Sequence, residues 1–259
     1  MLTNTVSIEL KNKLRKYLQS DNFLCILANL DLSYYKEYIT IISDLFDTNA
    51  RFLELGCGHG LGSSLLANHF REVFAIDLSK TLVSYAQCHF KKKNLHFLVG
   101  DSIELPFQDA SFDAVAAYSL IEFVWDVEKA LSEMIRVVKP KGLIMLMSPN
   151  LLSPFYAVNG FLGLNRITSL FHNLRVSLSK VFAEKPIFLY RLPKDKGSDI
   201  ELQNASRIYL ANPWDIRNFF KANGLELIKY PRKSIKGKLA WWVLGDWAPG
   251  FLIIAKKKL

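Results

Sequence analysis

The sequence is poor in cysteine. Its 259 residues include only three, Cys25, Cys57 and Cys88, an odd number without the spacing of a metal site. Such usage is consistent with a reducing cytosol. We therefore predict a cytoplasmic protein without a metal site.

Long apolar runs are missing as well. No stretch of 18 apolar residues occurs, although 50% of the residues are apolar, so we expect no membrane-spanning helix. Residues 1–13 are polar with a helical pattern and do not look like a signal peptide. The composition instead predicts a large buried core in one α/β domain with an added segment.

Acidic residues are scarce in the second part of the chain. Residues 151–259 hold 7 Asp and Glu against 18 Lys and Arg, whereas residues 1–150 hold 17 against 15. Basic surfaces attract anionic partners. Three kinds of partner are therefore open: a phosphate or carboxylate substrate, anionic lipid head groups, and RNA.

The chain alternates between apolar runs and helix-length segments. The runs cover residues 52–55, 73–76, 95–100 and 112–117. Helices are predicted after Ser79 and after Asp126, with the second ending at Pro140. Strand alternating with helix predicts an α/β fold, with a parallel sheet covered on both faces.

Polar side chains lie where these predicted strands end. Glu54, Asp77, Asp101 and Ser119 each fall at or next to the carboxyl end of one run. In sheets of this kind, ligands bind at the carboxyl ends of the strands, where the connections diverge. We therefore predict one site built from four elements.

The first run leads into a turn with glycine at every second position, Gly56, Gly58 and Gly60. Glycine adopts positive φ cheaply and has no Cβ to hold a ligand away, so the turn predicts close approach of backbone and ligand. A nicotinamide-dependent dehydrogenase is a less favoured reading. Its fingerprint needs a glycine where Leu61 stands, and it gives the turn at Asp101 no role.

Together these motifs resemble those of the class I S-adenosylmethionine (SAM)-dependent methyltransferases, in particular the type 11 group of quinone and small-metabolite enzymes. The resemblance covers residues 51–150 and resumes weakly from residue 213. It implies SAM as the cofactor. It also implies a Rossmann-like, doubly wound sheet of seven strands, mostly parallel with an antiparallel last strand.

The resemblance also implies a role for each strand end. Asp77 matches the acid that binds the ribose, Asp101 and Ser102 match the turn that reads the adenine, and Glu54 pairs with the cationic cofactor directly or through water. Phe123 stands where the family often has His, so no base is implied there. The expected cofactor-binding residues are Glu54, Gly56, Cys57, Gly58, Gly60, Asp77, Leu78, Asp101, Ser102, Tyr118 and Ser119.

We predict a single methyltransferase domain in four parts. Residues 1–50 form N-terminal helices, residues 51–150 the SAM-binding core, residues 151–212 a helical lid inserted over the acceptor, and residues 213–259 the last helix and a strand hairpin. A lid, together with the N-terminal helices through Tyr34, Tyr35 and Tyr38, would exclude water from the transfer step.

The acceptor is expected to be a small molecule. Aromatic residues of the predicted lid favour an aromatic or lipid-like compound, although such residues also build cores. These residues are Phe155, Tyr156, Phe161, Phe171, Phe182 and Phe188. Glu122 and His172 are the candidate general bases, but a helix-start acid and a lid surface histidine are the favoured interpretations of the two residues. Trp241, Trp242 and Trp247 either contact a membrane surface or cover the sheet edge.

Two other functions remain open. The basic second part favours an RNA-modifying methyltransferase, but the sequence has no Asn/Asp-Pro-Pro-aromatic motif, no cysteine after a proline and no separate RNA-binding module. A nucleic-acid partner is therefore disfavoured. A non-catalytic SAM-binding protein would have the same cofactor site without an acceptor cavity. The oligomeric state is not indicated.

Overall fold

The computed structural model describes residues 2–3, 32–153, 166–191, 208–230 and 245–259. Phe155, Tyr156, Phe161, Trp241 and Trp242 lie outside these ranges.

A seven-stranded sheet forms the centre of the described part of the chain. Its strands are β1 (Arg51–Leu55), β2 (Glu72–Asp77), β3 (Leu95–Val99), β4 (Phe112–Tyr118), β5 (Val138–Pro149), β6 (Glu226–Ile228) and β7 (Gly250–Lys256). They lie in the order β3-β2-β1-β4-β5-β7-β6. Strands β1 to β5 pair in parallel, and β7 is antiparallel to both of its neighbours. The predicted fold class is confirmed.

Helices cover both faces of the sheet. They are α1 (Leu32–Leu45), α2 (Leu61–Leu66), α3 (Lys80–His89), α4 (Val127–Val137), α5 (Arg166–Val181) and α6 (Pro213–Ala222). Apolar residues of α1, α2 and α3 pack on one face, and those of α4 and α6 pack on the other. Burial on both faces explains why the strands read as nearly continuous apolar runs.

Two predicted helix starts are present. Ser79 accepts a hydrogen bond from the Leu82 amide at 3.3 Å, and Asp126 accepts one from the Lys129 amide at 3.1 Å. These side chains satisfy amides that lack a partner within the helix. The predicted helix end at Pro140 was wrong, because α4 stops at Val137 and β5 begins directly at Val138. Pro140 lies where the pairing of β5 with β4 shifts register, and such an irregularity tolerates the missing amide.

The strand order reverses between β1 and β4. The chain leaves β1 toward β2 on one side, whereas β4 leads to β5 on the other. The connections after β1 and β4 therefore diverge and leave a crevice at the carboxyl edge of the sheet. Any ligand bound there contacts the loops after β1, β2, β3 and β4.

The described part of the predicted lid is tied to the last helix. Lys180 of α5 places its Nζ 2.8 Å from Oδ2 of Asp215 in α6, and the two side chains are 2% and 1% exposed. Asp215 also accepts hydrogen bonds from the Ile187 amide at 2.9 Å and from Nδ2 of Asn212 at 2.8 Å. A buried ion pair needs such additional bonds to offset its desolvation. The orientation of α5 is therefore specified by polar contacts.

The N-terminal region contributes two described pieces. Residues Leu2–Thr3 pair antiparallel with Tyr190–Arg191, and α1 packs against the sheet. The predicted four-part division stays a prediction, since residues 4–31 lie outside the described ranges. Among the helices described, none combines the length and the apolar character needed to cross a bilayer.

Candidate cofactor site

A cleft opens at the carboxyl edge of the sheet, at the switch point between β1 and β4. It encloses about 720 Å³, counting the space at its mouth. Its walls are Gly56, Gly58, Ile76, Asp77, Leu78, Gly100, Asp101, Ser102, Ser119, Leu120, Phe123, Val124 and Trp125. The structure thus brings together the loops that follow four strands.

Asp77 lines the cleft at the carboxyl end of β2. Its Oδ2 accepts a hydrogen bond from the Gly58 amide at 2.8 Å, and its Oδ1 accepts one from the Ser79 amide at 2.9 Å. Burial raises the pKa of this carboxyl, and the backbone amides oppose that rise. A carboxylate offers about four acceptor positions, so these bonds leave capacity for hydroxyl groups of a ligand.

Asp101 and Ser102 form the end of the cleft beyond β3. Oδ1 of Asp101 accepts a hydrogen bond from the Ile103 amide at 3.2 Å, which holds the turn in shape. Another part of the wall is apolar and consists of Leu120, Phe123, Val124 and Trp125. A polar edge together with an apolar wall suits a flat heteroaromatic ring.

That apolar wall is absent from the residues predicted from the sequence. In the segment after β4, Glu122 was predicted as a candidate base, and the apolar residues were not assigned to the cofactor. Ser119 turns this segment back over the cleft with a φ of 49°, while its amide donates to the Met147 carbonyl at 2.8 Å. The sequence feature that could have indicated this wall is the apolar run directly after the end of β4.

Gly56 and Leu120 set the width of the cleft where the loops after β1 and β4 meet. Gly56 has a φ of 72°, and a Cβ added to it would lie 2.9 Å from Cδ1 of Leu120. Only glycine combines this backbone conformation with this close approach.

Most amides of the glycine turn are already used within the protein. The amides of Gly56 and Cys57 donate to the Ile76 carbonyl at 2.8 and 3.1 Å, and the Gly60 amide donates to the Cys57 carbonyl at 3.0 Å. The Gly58 amide donates to Asp77. The turn therefore lets a ligand approach the backbone closely, but it does not present a set of free hydrogen-bond donors.

Cys57 and Gly60 do not line the cleft. The Cys57 thiol is buried, and burial raises its pKa. A Cβ at Gly60 would lie 2.6 Å from Cβ of Ala86 and 2.8 Å from Cζ of Phe97, so this glycine allows α3 to pack closely against the turn. Both residues support the turn from behind.

Glu54 does not reach the cleft either. Successive strand residues face opposite sides of a sheet, so Glu54 shares the α1–α3 face with Phe52, while Leu53 and Leu55 share the other. Its side chain is 3% exposed and accepts a hydrogen bond from Oγ of Ser63 at 2.5 Å. Burial raises the pKa of Glu54 to about 7, although the Ser63 hydroxyl and the nearby Tyr38 hydroxyl lower it.

Aromatic side chains gather beside Glu54. The Tyr118 ring lies 5.1 Å from that of Tyr38 and 5.9 Å from that of Tyr35, and the Tyr35 ring lies 6.2 Å from that of His59. Burial lowers the pKa of His59. The predicted cofactor residue Tyr118 belongs to this cluster and not to the cleft wall. Tyr35 and Tyr38, predicted as lid residues, are buried in the core.

Neither candidate base belongs to the cleft wall. Glu122 is buried, and its Oε2 accepts a hydrogen bond from Oγ of Ser148 at 3.0 Å. His172 is half-buried on α5. Within the described ranges, no group of three or more His, Cys, Asp or Glu side chains is placed to hold a metal ion.

A doubly wound sheet with this strand order and a glycine-floored cleft at its switch point is the architecture of the class I SAM-dependent methyltransferases. Residues 53–146 match the family model described as a methyltransferase domain, and this region belongs to the type 11 group of that class.

Related proteins match the same region. A probable SAM-dependent methyltransferase of Mycolicibacterium smegmatis is 35% identical over 98 residues, 38% of this chain and 37% of the relative. A fatty-acid O-methyltransferase of that organism is 35% identical over 97 residues, 37% of this chain and 35% of the relative. A demethylmenaquinone methyltransferase of Beutenbergia cavernae is 36% identical over 113 residues, 43% and 46% of the two chains. These matches span less than half of each relative's length.

A solved structure extends the likeness of the fold. The SAM-dependent methyltransferase of Mesorhizobium loti superimposes with a TM-score of 0.57 at 14% identity, covering 85% of this chain and 97% of the other. The cofactor implied by the family and its relatives is SAM. The cleft fits it, because a Cβ-free floor at Gly56, a carboxylate at Asp77 and an apolar wall suit an adenosyl group.

The raised pKa of Glu54 predicts a pH-dependent stability. Between about 4.5 and about 7 the folded protein retains a proton that the unfolded chain releases, so rising pH lowers the free energy of unfolding. The shift corresponds to roughly 3 kcal/mol. In urea unfolding, the original protein should lose about this much free energy of unfolding between pH 4 and pH 8. Glu54→Gln should not show this loss, because it has no carboxyl group to titrate. The exposed Glu184→Gln is the control, and parallel changes in all three proteins would contradict the assignment.

Gly56→Ala should abolish measurable SAM binding by calorimetry, because the added Cβ pushes Leu120 into the cleft. Gly224→Ala is a matched control, since Gly224 has a φ of 76° with nothing within 4 Å of an added Cβ. Both variants should lose about 1–2 kcal/mol of stability through backbone strain. Equal SAM affinity in the two variants would show that the contact with Leu120 does not set the cleft's width.

Proposed function

We propose that this protein is a methyltransferase that transfers a methyl group from SAM to a small, lipid-like acceptor. The observation that carries the proposal is the cleft itself, with its floor at Gly56, its carboxylate at Asp77 and its apolar wall after β4. Two of the relatives are named for fatty-acid and demethylmenaquinone methylation, which supports an apolar acceptor.

Different cleft residues would bind different parts of the cofactor. The remaining acceptor positions of Asp77 would bind the ribose hydroxyls, because hydrogen bonds to a carboxylate are the stronger kind. Asp101 and Ser102 would bind the adenine edge, with its ring against Phe123 and Trp125. SAM supplies a methyl group on a positively charged sulfonium, which the reaction converts to a neutral thioether.

Glu54 would act on this charge from behind the glycine turn. Its carboxyl is buried between α1, α2 and the sheet, with a pKa of about 7. A nearby cation favours the ionised form of a buried carboxyl. Glu54 would therefore give up its proton as the cationic cofactor binds, and the aromatic cluster with Tyr35, Tyr38 and Tyr118 would keep water away from it.

The chain's contribution to the transfer step would be mainly alignment and exclusion of water. Holding two reactants in line contributes about 7–11 kcal/mol to such reactions. Glu122 and His172 remain the candidate bases for a hydroxyl acceptor. Each lies outside the described cleft wall, so either would act on an acceptor bound beyond it.

Asp77→Asn should weaken SAM binding by about 10- to 100-fold, because charge-assisted bonds are worth roughly 1.5–3 kcal/mol. Asp47→Asn is the matched control. Asp47 Oδ1 accepts the Asn49 amide at 2.8 Å, the same local bond that Asp77 makes to Ser79, in a turn far from the cleft. Calorimetry measures the affinity of each variant for SAM and for its demethylated product. Unchanged affinity in Asp77→Asn would refute the ribose assignment.

Methyl-labelled SAM tests the acceptor class. The protein is incubated with fatty acids, isoprenoid quinones, a bacterial lipid extract and total RNA, and label is counted in each fraction. We expect label in the lipid fractions, and Asp77→Asn should reduce it at low SAM concentration. Label in RNA would overturn the acceptor class. Intact SAM binding with no label in any fraction would indicate the non-catalytic alternative.

A further inference from the structure

Helix α5 has its polar side turned inward and its apolar side turned outward. Asn173, Ser177 and Lys180 are buried, whereas Phe171 is 64% exposed and Phe182, just after the helix, is 82% exposed. Leu170, Leu178 and Val181 are exposed as well. A helix that packs only on its own protein has the opposite arrangement.

The buried polar side is held by specific bonds. Nδ2 of Asn173 donates to the Ser153 carbonyl at 3.1 Å, and Oγ of Ser177 donates to the Leu152 carbonyl at 2.6 Å. Lys180 forms the buried ion pair with Asp215. Rotating α5 to bury its apolar side would break all three contacts and strand a buried carboxylate. The outward apolar side is therefore a specified feature of the fold.

The exposed apolar residues form one continuous stripe. Spacings of three and four residues place them on the same side of a helix. From residue 170 to residue 182 the stripe is about 18 Å long. It consists of the exposed Leu170, Phe171, Leu178, Val181 and Phe182, with the half-buried Leu174 between them. Contiguous exposed apolar surface of this kind marks an interaction site.

The charges around the stripe have a positive sum, although the exposed Glu184 lies between Phe182 and Lys185. Residues 166–181 contain no Asp or Glu, and the exposed Arg175 lies beside the stripe. Lys185 is exposed shortly after the helix, and residues 151–259 hold 18 basic against 7 acidic residues. An apolar stripe bordered by cations is complementary to an anionic lipid bilayer, in which negatively charged head groups cover apolar acyl chains.

The stripe lies at the same end of the molecule as the cleft. Leu152 and Ser153, which hold α5, follow directly after β5 leaves the carboxyl edge of the sheet. The stripe therefore belongs to a helix that is held next to the edge on which the cofactor cleft opens.

We propose that α5 docks the protein on the surface of an anionic lipid membrane, with the stripe inserted among the acyl chains and Arg175 and Lys185 at the head groups. This differs from the tryptophan contact considered from the sequence, since it uses another element. It goes beyond the proposed methyl transfer and does not depend on it, because docking requires neither SAM nor an acceptor.

Vesicle sedimentation without SAM tests the proposal on the full chain. The protein should bind vesicles containing one third phosphatidylglycerol more tightly than pure phosphatidylcholine vesicles. The double variant Phe171→Ser/Phe182→Ser should lose about 10-fold or more in partition, since two aromatic side chains no longer enter the bilayer. Arg175→Gln should lose about 5-fold on the anionic vesicles only. Unchanged SAM binding by calorimetry shows that each variant is folded.

Tyr85→Ser is the matched control, because Tyr85 is an exposed aromatic on α3, on the other face of the sheet, and its loss should leave partition unchanged. Equal partition of the double variant and the original protein would overturn the proposal. So would equal binding to neutral and anionic vesicles. A stable dimer that the double variant converts to a monomer would also overturn it, and would assign the stripe to a second copy of the chain. A failure of methyl transfer leaves these measurements untouched.

Discussion

The contact between the loops that follow β1 and β4 is the constraint on which the cofactor site depends. These loops leave the sheet at the point where the strand order reverses, and they meet at Gly56 and Leu120. A glycine with positive φ lets the first loop turn sharply, and the left-handed Ser119 sends the second loop back over it. The cleft stays open because the first loop has no Cβ where it passes the Leu120 side chain. Asp77 and Asp101 then enter it from the neighbouring strands.

Two acids of the same sheet edge have contrasting environments. Asp77 is the last residue of its strand, and its carboxylate reaches the cleft while two backbone amides hold it in place. Glu54 is the residue before the last of its strand and faces α1, so it is enclosed with one hydroxyl donor and keeps its proton to a higher pH. A difference of one position relative to the strand end therefore gives the two acids different proposed roles. Asp77 would form hydrogen bonds to the cofactor, and Glu54 would act as a buried charge behind the cleft.

Much of the fold and of the cleft was predictable from the sequence. The positions of β1 to β4 were correct to within one or two residues, because parallel strands buried on both faces leave apolar runs. The start of β5 was assigned to a helix. Ser79 and Asp126 identified two helix starts, because a capping side chain acts within three residues of itself. The apolar wall after β4 was missed, because its function depends on a loop that folds back across the cleft. The environment of Glu54 was missed because the face of a strand was not considered together with its end.

The sequence by itself determined the order of strands and helices, the turn chemistry and the residues at the strand ends, since all of these depend on neighbours close in the chain. Tertiary structure alone decided which side of α5 is inside. Its sequence shows an apolar side and a polar side, and burial of the apolar side would be the default expectation. The carbonyl groups of Leu152 and Ser153 and the carboxylate of Asp215 lie far away in sequence, and they bind the polar side. Since an unpaired buried charge costs more than an exposed apolar stripe, those distant partners turn the helix outward.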